Sequence, residues 1–345
     1  MSNKSITIAI DAMGGDFGVE SSIPGLALVH QDNPQVRFKI YGDEALIYPL
    51  LNKHKSLLNV CEVIHTTKIV RSDEKPSSAL RSSKDSSMRM AIEAVKDGEA
   101  QAVVSSGNTG ALMALAKVIL RPLPGIHRPA IASVFPTLTG KTVMLDLGAN
   151  VLVDAENLVQ FAVLGAVFAR SHMQKERPSV GLLNVGSEDM KGPDHVRGAA
   201  ETLAQVEFPG QYYGFVEGND ITKGTVDVVV TDGYAGNIAL KTAEGVGKLM
   251  GDLLKQAFKS NPLSMVGGLL AYSALKQAKR KMDPRLYNGG VFLGLGGLCV
   301  KSHGGSDAIG FASAVRLSVQ LARHGYINRV GEEINNLMAQ ETFLT

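Results

Sequence analysis

The chain has 345 residues, 45% of them hydrophobic and 20% charged, enough for one large or two medium domains around a sizeable core. Its 35 basic and 33 acidic residues leave a formal net charge of +2, so no overall charge draws it to nucleic acid and any basic function is local. Cys61 and Cys299 are its two cysteines, without CxxC or Cys/His zinc spacing, which argues against a disulfide scaffold and for a reducing cytoplasm.

Residues 1–16 run into a strand without a long apolar stretch, so no secretory leader is expected, and no run of about 18 apolar residues offers a membrane span. The β-branched run 6–10 predicts a strand ending in Asp11-Ala12-Met13-Gly14-Gly15-Asp16. A helix is predicted over 21–31, its start blurred by Pro24 and Gly25, then a strand over 36–41, a helix over 44–54 despite Pro49, and a strand over 60–65. Residues 68–87 are polar and irregular, with Lys75-Pro76, Arg81, Lys84, Ser86 and Ser87. Met88, Ile92 and Val95 share one face of a helix predicted over 88–97.

The stretch 101–117 is the most informative. Ala102-Val103-Val104 stops at Ser105-Ser106-Gly107-Asn108-Thr109-Gly110, and good helix formers follow from Ala111. Gly107 and Gly110 let backbone approach a ligand, while Ser105, Ser106, Asn108 and Thr109 offer donors. The free N–H groups of the helix start favour an anion. Alone, the same residues read as well as an ordinary turn with Asn108 or Thr109 as N-cap.

After a proline-rich turn at 121–128, strands are predicted over 130–136 and 142–147, the second ending in Asp146-Leu147-Gly148-Ala149-Asn150. A long apolar helix covers 155–172. Strand 179–185 runs into Asn184-Val185-Gly186-Ser187-Glu188-Asp189-Met190-Lys191-Gly192. Helix 195–204 and strands 212–217 and 226–231 follow, the last leading into Asp232-Gly233-Tyr234-Ala235-Gly236-Asn237 and a long helix over 238–258. Strands alternating with helices, several apolar throughout, predict a mostly parallel open sheet covered on both faces. Ligands in such sheets bind at the carboxyl ends of strands. Five strand ends carry polar, glycine-bearing turns, which predicts one shared crevice. Gly14-Gly15 and the glycines at 294–297 resemble fragments of a dinucleotide fingerprint, but position 299 is Cys299 and not glycine, so nicotinamide is not expected.

Residues 260–284 interrupt the alternation. Leu263, Met265, Val266, Leu269, Leu270 and Tyr272 recur at helical spacing ahead of a basic cluster, Lys276, Lys279, Arg280 and Lys281. An apolar stripe beside a basic end suits a membrane surface with anionic headgroups. The cations equally suit an acidic carrier protein, and the whole also reads as a core or dimer-interface helix. Gly267-Gly268 predicts the turn of a helical hairpin that protrudes over 255–287.

Together, IAIDAMGGD, KPSSALRSSKDSSM, VSSGNTGALMA, MLDLGAN, LLNVGSEDMKG, VVVTDGYAGNIALK and KSHGGSDAIGFASAV resemble the motifs of the bacterial phosphate acyltransferase family, over about residues 6–330. The resemblance implies a three-layer α/β/α fold, similar to phosphotransacetylase and isocitrate dehydrogenase-like proteins. It would form a single catalytic unit over 1–345, with room for two lobes, plus the hairpin. It implies conversion of fatty acyl-acyl carrier protein and orthophosphate to acyl phosphate and free carrier protein. The product would supply a downstream membrane glycerol-3-phosphate acyltransferase in phospholipid (phosphatidic acid) synthesis. It further implies a cytoplasmic homodimer that touches the inner face of the cell membrane through an apolar tip beside the dimer interface. Neither a cofactor nor a metal is expected, nor a nucleic-acid partner.

Phosphate attack on a thioester needs an anion site, donors for the developing oxyanion and help for the leaving thiolate, but no protein nucleophile. Lys191 and Asn237 match positions that the resemblance marks as important for catalysis. Lys191 serves phosphate, oxyanion or thiolate, or is a solvated loop lysine. Asn237 is an amide donor or a helix N-cap. His303, in Lys301-Ser302-His303-Gly304-Gly305-Ser306, is a proton carrier, a phosphate donor or a structural turn residue. Phosphate and substrate contacts are expected from Asp11, Gly14 and Gly15; from Ser105, Ser106, Gly107, Asn108, Thr109 and Gly110; and from Asp146, Gly148 and Asn150. Asn184, Gly186, Asp232, Gly233 and Gly236 complete that set. Carboxylates repel phosphate, so Asp11, Asp146 and Asp232 are expected to orient lysines or backbone N–H groups. Cys299, in an apolar run, is expected to be structural and not nucleophilic. Two alternatives stand beside this: a phosphotransacetylase-like enzyme acting on acyl-coenzyme A, and a catalytically silent membrane scaffold. The intact turns with Lys191 and Asn237 argue against the scaffold.

Overall fold

A computed structural model describes residues 6–281 and 283–340. Its strands are β1 (Thr7–Asp11), β2 (Arg37–Gly42), β3 (Cys61–His65), β4 (Ala102–Ser105), β5 (Ala130–Thr137), β6 (Gly140–Leu145), β7 (Ser179–Leu183), β8 (Gln211–Val216), β9 (Val228–Val230), β10 (Gly290–Leu293) and β11 (Leu298–Lys301). The helices are α1 (Val19–Asp32), α2 (Glu44–Lys53), α3 (Pro76–Ser82), α4 (Ser87–Lys96), α5 (Thr109–Ile119), α6 (Ala155–Met173), α7 (Asp194–Leu203), α8 (Gly218–Lys223), α9 (Gly233–Lys259), α10 (Pro262–Leu270), α11 (Tyr272–Lys281), α12 (Ala308–Arg323) and α13 (Tyr326–Met338).

All the strands form one sheet in the order β3-β2-β1-β4-β11-β10-β5-β6-β9-β7-β8. β3, β2, β1, β4 and β11 run parallel. β10 is antiparallel to both β11 and β5, and β5 is antiparallel to β6. β6, β9, β7 and β8 are again parallel to one another. Following these directions across the sheet, its two parallel halves point opposite ways.

Strands such as β4 and β9 are buried along their whole length, which fits helices on both faces. α6, apolar over most of its turns, is buried almost throughout and packs against β6 and β9. α12 lies against α1. One apolar cluster runs through both halves, from Ile8 and Ile10 to Val228 and Val230, so the reversal of direction does not divide the core.

Two local expectations are corrected. The polar stretch 68–87 contains α3, which Pro76 opens at its first turn, where the missing N–H costs nothing; seven residues are too few to show periodicity. Gly267 and Gly268, expected at the hairpin turn, lie inside α10. The chain reverses earlier, where Asn261 caps α10 by accepting from Ser264 N at 2.7 Å and Pro262 occupies the first turn. A Cβ on Gly268 would meet the Phe258 ring at 2.9 Å, so this glycine lets α10 close on α9.

Candidate active site

The opposed halves of the sheet divide the predicted turns. Those after β1 and β4 lie at one edge, with the turn after β11. Those after β6, β9 and β7 lie at the opposite edge. The single crevice expected from the sequence is thus corrected to two polar edges. Strand–helix alternation does not report β10 and the β5–β6 hairpin, which reverse the strand direction.

At the first edge the turns interlock. Asp11 is buried and accepts hydrogen bonds from Ser87 Oγ at 2.7 Å and Ser105 Oγ at 2.6 Å, with a further backbone bond from Met13. Burial raises its carboxyl above the usual range, against the pull of those hydrogen bonds and of Lys301. Ser105 Oγ in turn accepts from Gly107 N at 3.0 Å, and Ser106 Oγ donates to Gly14 O at 2.8 Å. The glycines are required by space. A Cβ on Gly14 would stand 2.5 Å from Gly107 N, and one on Gly15, at φ +81°, would stand 2.8 Å from Gly304 O. The walls here are therefore backbone.

Asn108 caps α5 as expected, accepting from Ala111 N at 3.0 Å. Its amide, however, donates to the carbonyls of Arg71, Ser72 and Glu74. It tethers the segment before α3 and is spent as a donor for an anion, which corrects that part of its expected role. Thr109 and Gly110 are exposed at the start of α5. His303 is exposed; its Nδ1 accepts from Gly305 N at 3.2 Å and its backbone N donates to Asn288 Oδ1 at 2.9 Å.

At the second edge, the buried Asp146 accepts from the backbone N of Ile131, Gly148, Ala149 and Asn150 and from Asn150 Nδ2. Asn150 Nδ2 also donates to Pro129 O at 2.8 Å, so its amide is likewise structural. Asp232 caps α9 through Ala235 N at 2.8 Å. All three strand-end aspartates thus orient the chain. Asn237 lies one turn into α9, so Asp232 and not Asn237 is the cap; its exposed side chain makes no hydrogen bond, and a Cβ on Gly148, at φ +125°, would stand 2.9 Å from its Nδ2. Gly233 and Gly236 are pressed against Asn150 O and Asp146 O. Asn184 Nδ2 donates to Lys191 O at 3.0 Å, and its buried Oδ1 has no partner. Lys191 is exposed, folds over Gly186 and pairs with Glu188 at 2.7 Å. The Glu188 hydrogen bond raises the Lys191 ammonium and lowers the Glu188 carboxyl.

Along the hairpin, Leu263, Leu269 and Leu270 are 82%, 75% and 81% exposed, and Met265 and Val266 are exposed beside them. Lys276 lies 5.9 Å from the Tyr272 ring centre, and Arg280 is exposed. The side chains of Lys279 and Lys281 lie outside the described residues. Burial pushes the Cys299 thiol up, and the Cys61 thiol to about 12, so neither is an activated nucleophile.

Sequence reasoning passed over Lys301, Ser87 and Asn288. Lys301 Nζ donates to Ser106 O at 3.2 Å and to Ser302 O. Asn288 Nδ2 gathers Ser302 Oγ, Ser306 Oγ and Gly310 O. A lysine closing the apolar run of β11 was the available signal for the first. Ser87 and Asn288 come near their partners only through the fold.

A family model described as "Fatty acid synthesis protein" matches residues 6–329. The phosphate acyltransferase of Paramagnetospirillum magneticum is 53% identical over 339 residues, covering 98% of this chain and 97% of that protein. That of Parvibaculum lavamentivorans is 54% identical over 340 residues, covering 98% and 94%. Among solved structures, a phosphotransacetylase from Streptococcus pyogenes superposes with a TM-score of 0.63 at 18% identity, over 93% of this chain and 95% of the other. EutD phosphotransacetylase from Staphylococcus aureus gives 0.62 at 16% identity, with the same coverage. These two likenesses bear on the fold.

Proposed function

The chain belongs to the phosphate acyltransferases of the fatty acid synthesis protein family, and from that we propose that it transfers a fatty acyl group from acyl-acyl carrier protein to orthophosphate. The products are acyl phosphate and free carrier protein, and the acyl phosphate supplies a membrane glycerol-3-phosphate acyltransferase for phospholipid synthesis. The observation that carries this reading is the first edge. Three strand-end turns meet there so closely that glycine is needed at Gly14 and Gly15, and backbone with small hydroxyls forms the walls. Such a wall suits a small anion and the oxyanion of a thioester under attack. Orthophosphate is its own nucleophile, so the absence of an activated cysteine among the described residues is no obstacle.

Lys191 and Asn237 supply the cation and the amide that stabilise the developing oxyanion or the leaving thiolate. Their exposure, and the free amide of Asn237, support that use. They stand at the edge opposite the glycine wall, so the two sets act together when a second copy of the chain completes the site. The exposed row Val246, Leu249, Met250, Leu253 and Leu254 along α9 supports such a homodimer. α9 starts at the Lys191 edge, and the apolar row lies farther along it. The leucines at the hairpin tip rest on the inner face of the cell membrane, and Lys276, Lys279, Arg280 and Lys281 hold the acidic carrier protein or lipid headgroups. No helix among the described residues is long and apolar enough to cross a membrane.

The test is transfer of labelled phosphate into acyl phosphate from acyl-acyl carrier protein, with acyl-coenzyme A in parallel. Product from the carrier-protein thioester is expected. Product from coenzyme A alone would replace the donor, and none from either would end the reading.

A further inference from the structure

Lys301 ends β11, between β4 and β10, and its side chain reaches the turns that follow β4 and β11. Two of its three N–H groups are given to carbonyls, those of Ser106 and Ser302. It makes no hydrogen bond to Asp11, whose carboxylate is already met by Ser87, Ser105 and Met13. Nor is it needed to join the turns. Ser302 N donates to Ser105 O at 2.9 Å, and Ser106 Oγ donates to Gly14 O at 2.8 Å. A partly buried ammonium that bonds only carbonyls is a costly way to fill space that an apolar side chain would fill. Its distinctive contribution is charge at a wall otherwise made of backbone and hydroxyls.

We propose that Lys301 is the positioning residue for orthophosphate at the first edge, holding the Ser106 and Ser302 carbonyls on its ammonium and leaving positive charge beside the glycine wall. This rests on the phosphate acyltransferase reading and adds to it the place and counter-charge of the phosphate. The groups that face the ammonium are few. Asp11 at the end of β1 and Asp16 in the turn after it attract it, and Cys299 on its own strand is a neutral thiol. The Ser87 hydroxyl of α4 is given to Asp11, β10 places Gly290 opposite in the strand ladder, and His303 follows two residues later with its ring turned to Gly305 N. Burial lowers the ammonium to about 8. The charge is therefore present at neutral pH and is lost as pH rises through about 8.

The experiment is steady-state kinetics of the full chain with orthophosphate as the varied substrate, from neutral pH to about 9.5, for wild type, K301M and K301R. In the wild type, KM for orthophosphate rises about tenfold across that range. K301M raises the neutral-pH KM about tenfold or more while kcat stays within about threefold. K301R keeps KM near the wild-type value and flattens its pH dependence, because guanidinium does not titrate there. Thermal melting reports whether each variant folds; if K301M does not, the K301R profile decides. An active K301M with a wild-type KM overturns the proposal, as does a K301R profile that still rises like the wild type. A wild type that makes no acyl phosphate overturns the parent reading and the proposal with it, a result distinct from both.

Discussion

At the scale of single residues, the site is held by groups whose work is already assigned within the chain. Asn108→Ala removes an N-cap and three amide donations to Arg71, Ser72 and Glu74. A loss of about 1–2 kcal/mol is expected, with a lower melting temperature and faster proteolysis within 68–87; unchanged cleavage there would refute the tether. Gly236→Ala places a Cβ 1.9 Å from Asp146 O in a fully packed turn. Overpacking of this kind costs about 2 kcal/mol or more, to be read from denaturant unfolding, and a neutral result would mean the turn can open. Asp146 and Asp232 were legible as orienters because a carboxylate before glycines has backbone N–H groups within reach and repels phosphate; Asp11 was not, since it chiefly takes the hydroxyls of Ser87 and Ser105 from α4 and β4. Lys301 was legible only as a lysine closing the apolar run of β11; its partner Ser106 lies 195 residues away in the chain, so the contact itself leaves no local mark.

At the scale of elements, the hairpin carries a run of strongly exposed apolar side chains, Leu263, Leu269 and Leu270 among them. Leu269→Asp with Leu270→Asp is expected to release the protein from anionic vesicles in a flotation assay and to leave turnover of soluble acyl-acyl carrier protein within about twofold. Retained vesicle binding would remove the tip from the membrane contact, and loss of dimerisation would assign these leucines to the subunit interface. The apolar spacing of 263–272 gave away the helices and their exposed tip. Paired glycines ordinarily break helices, which points the turn to Gly267-Gly268, whereas Gly268 is there to admit the Phe258 ring. α3 is too short to show a period, and Asp232 caps α9 one turn before its apolar periodicity starts.

At the scale of the whole molecule, strand–helix alternation and apolar strands were enough to foresee a covered, mostly parallel sheet. Strand order and the opposed halves were not, since β10 is four residues long and the β5–β6 pairing shows no local mark of direction. That reversal has a consequence for assembly. If the glycine wall of one copy, with His303 beside it as proton carrier, works with Lys191 and Asn237 of another, His303→Ala and Lys191→Ala chains, each nearly inactive on that premise, regain activity when co-assembled, because one of the two sites in each mixed dimer is intact. Up to about a quarter of wild-type activity is expected for random mixing. No recovery in verified mixed dimers would place both sets in the service of a single chain. The most direct measurement remains the reaction itself: purified full chain, acyl-acyl carrier protein and labelled orthophosphate, with acyl phosphate quantified against released carrier-protein thiol. Equal amounts of the two, dependent on orthophosphate and lost in Lys191→Ala, are expected. Thiol release that does not need orthophosphate, or none at all, would contradict the assignment.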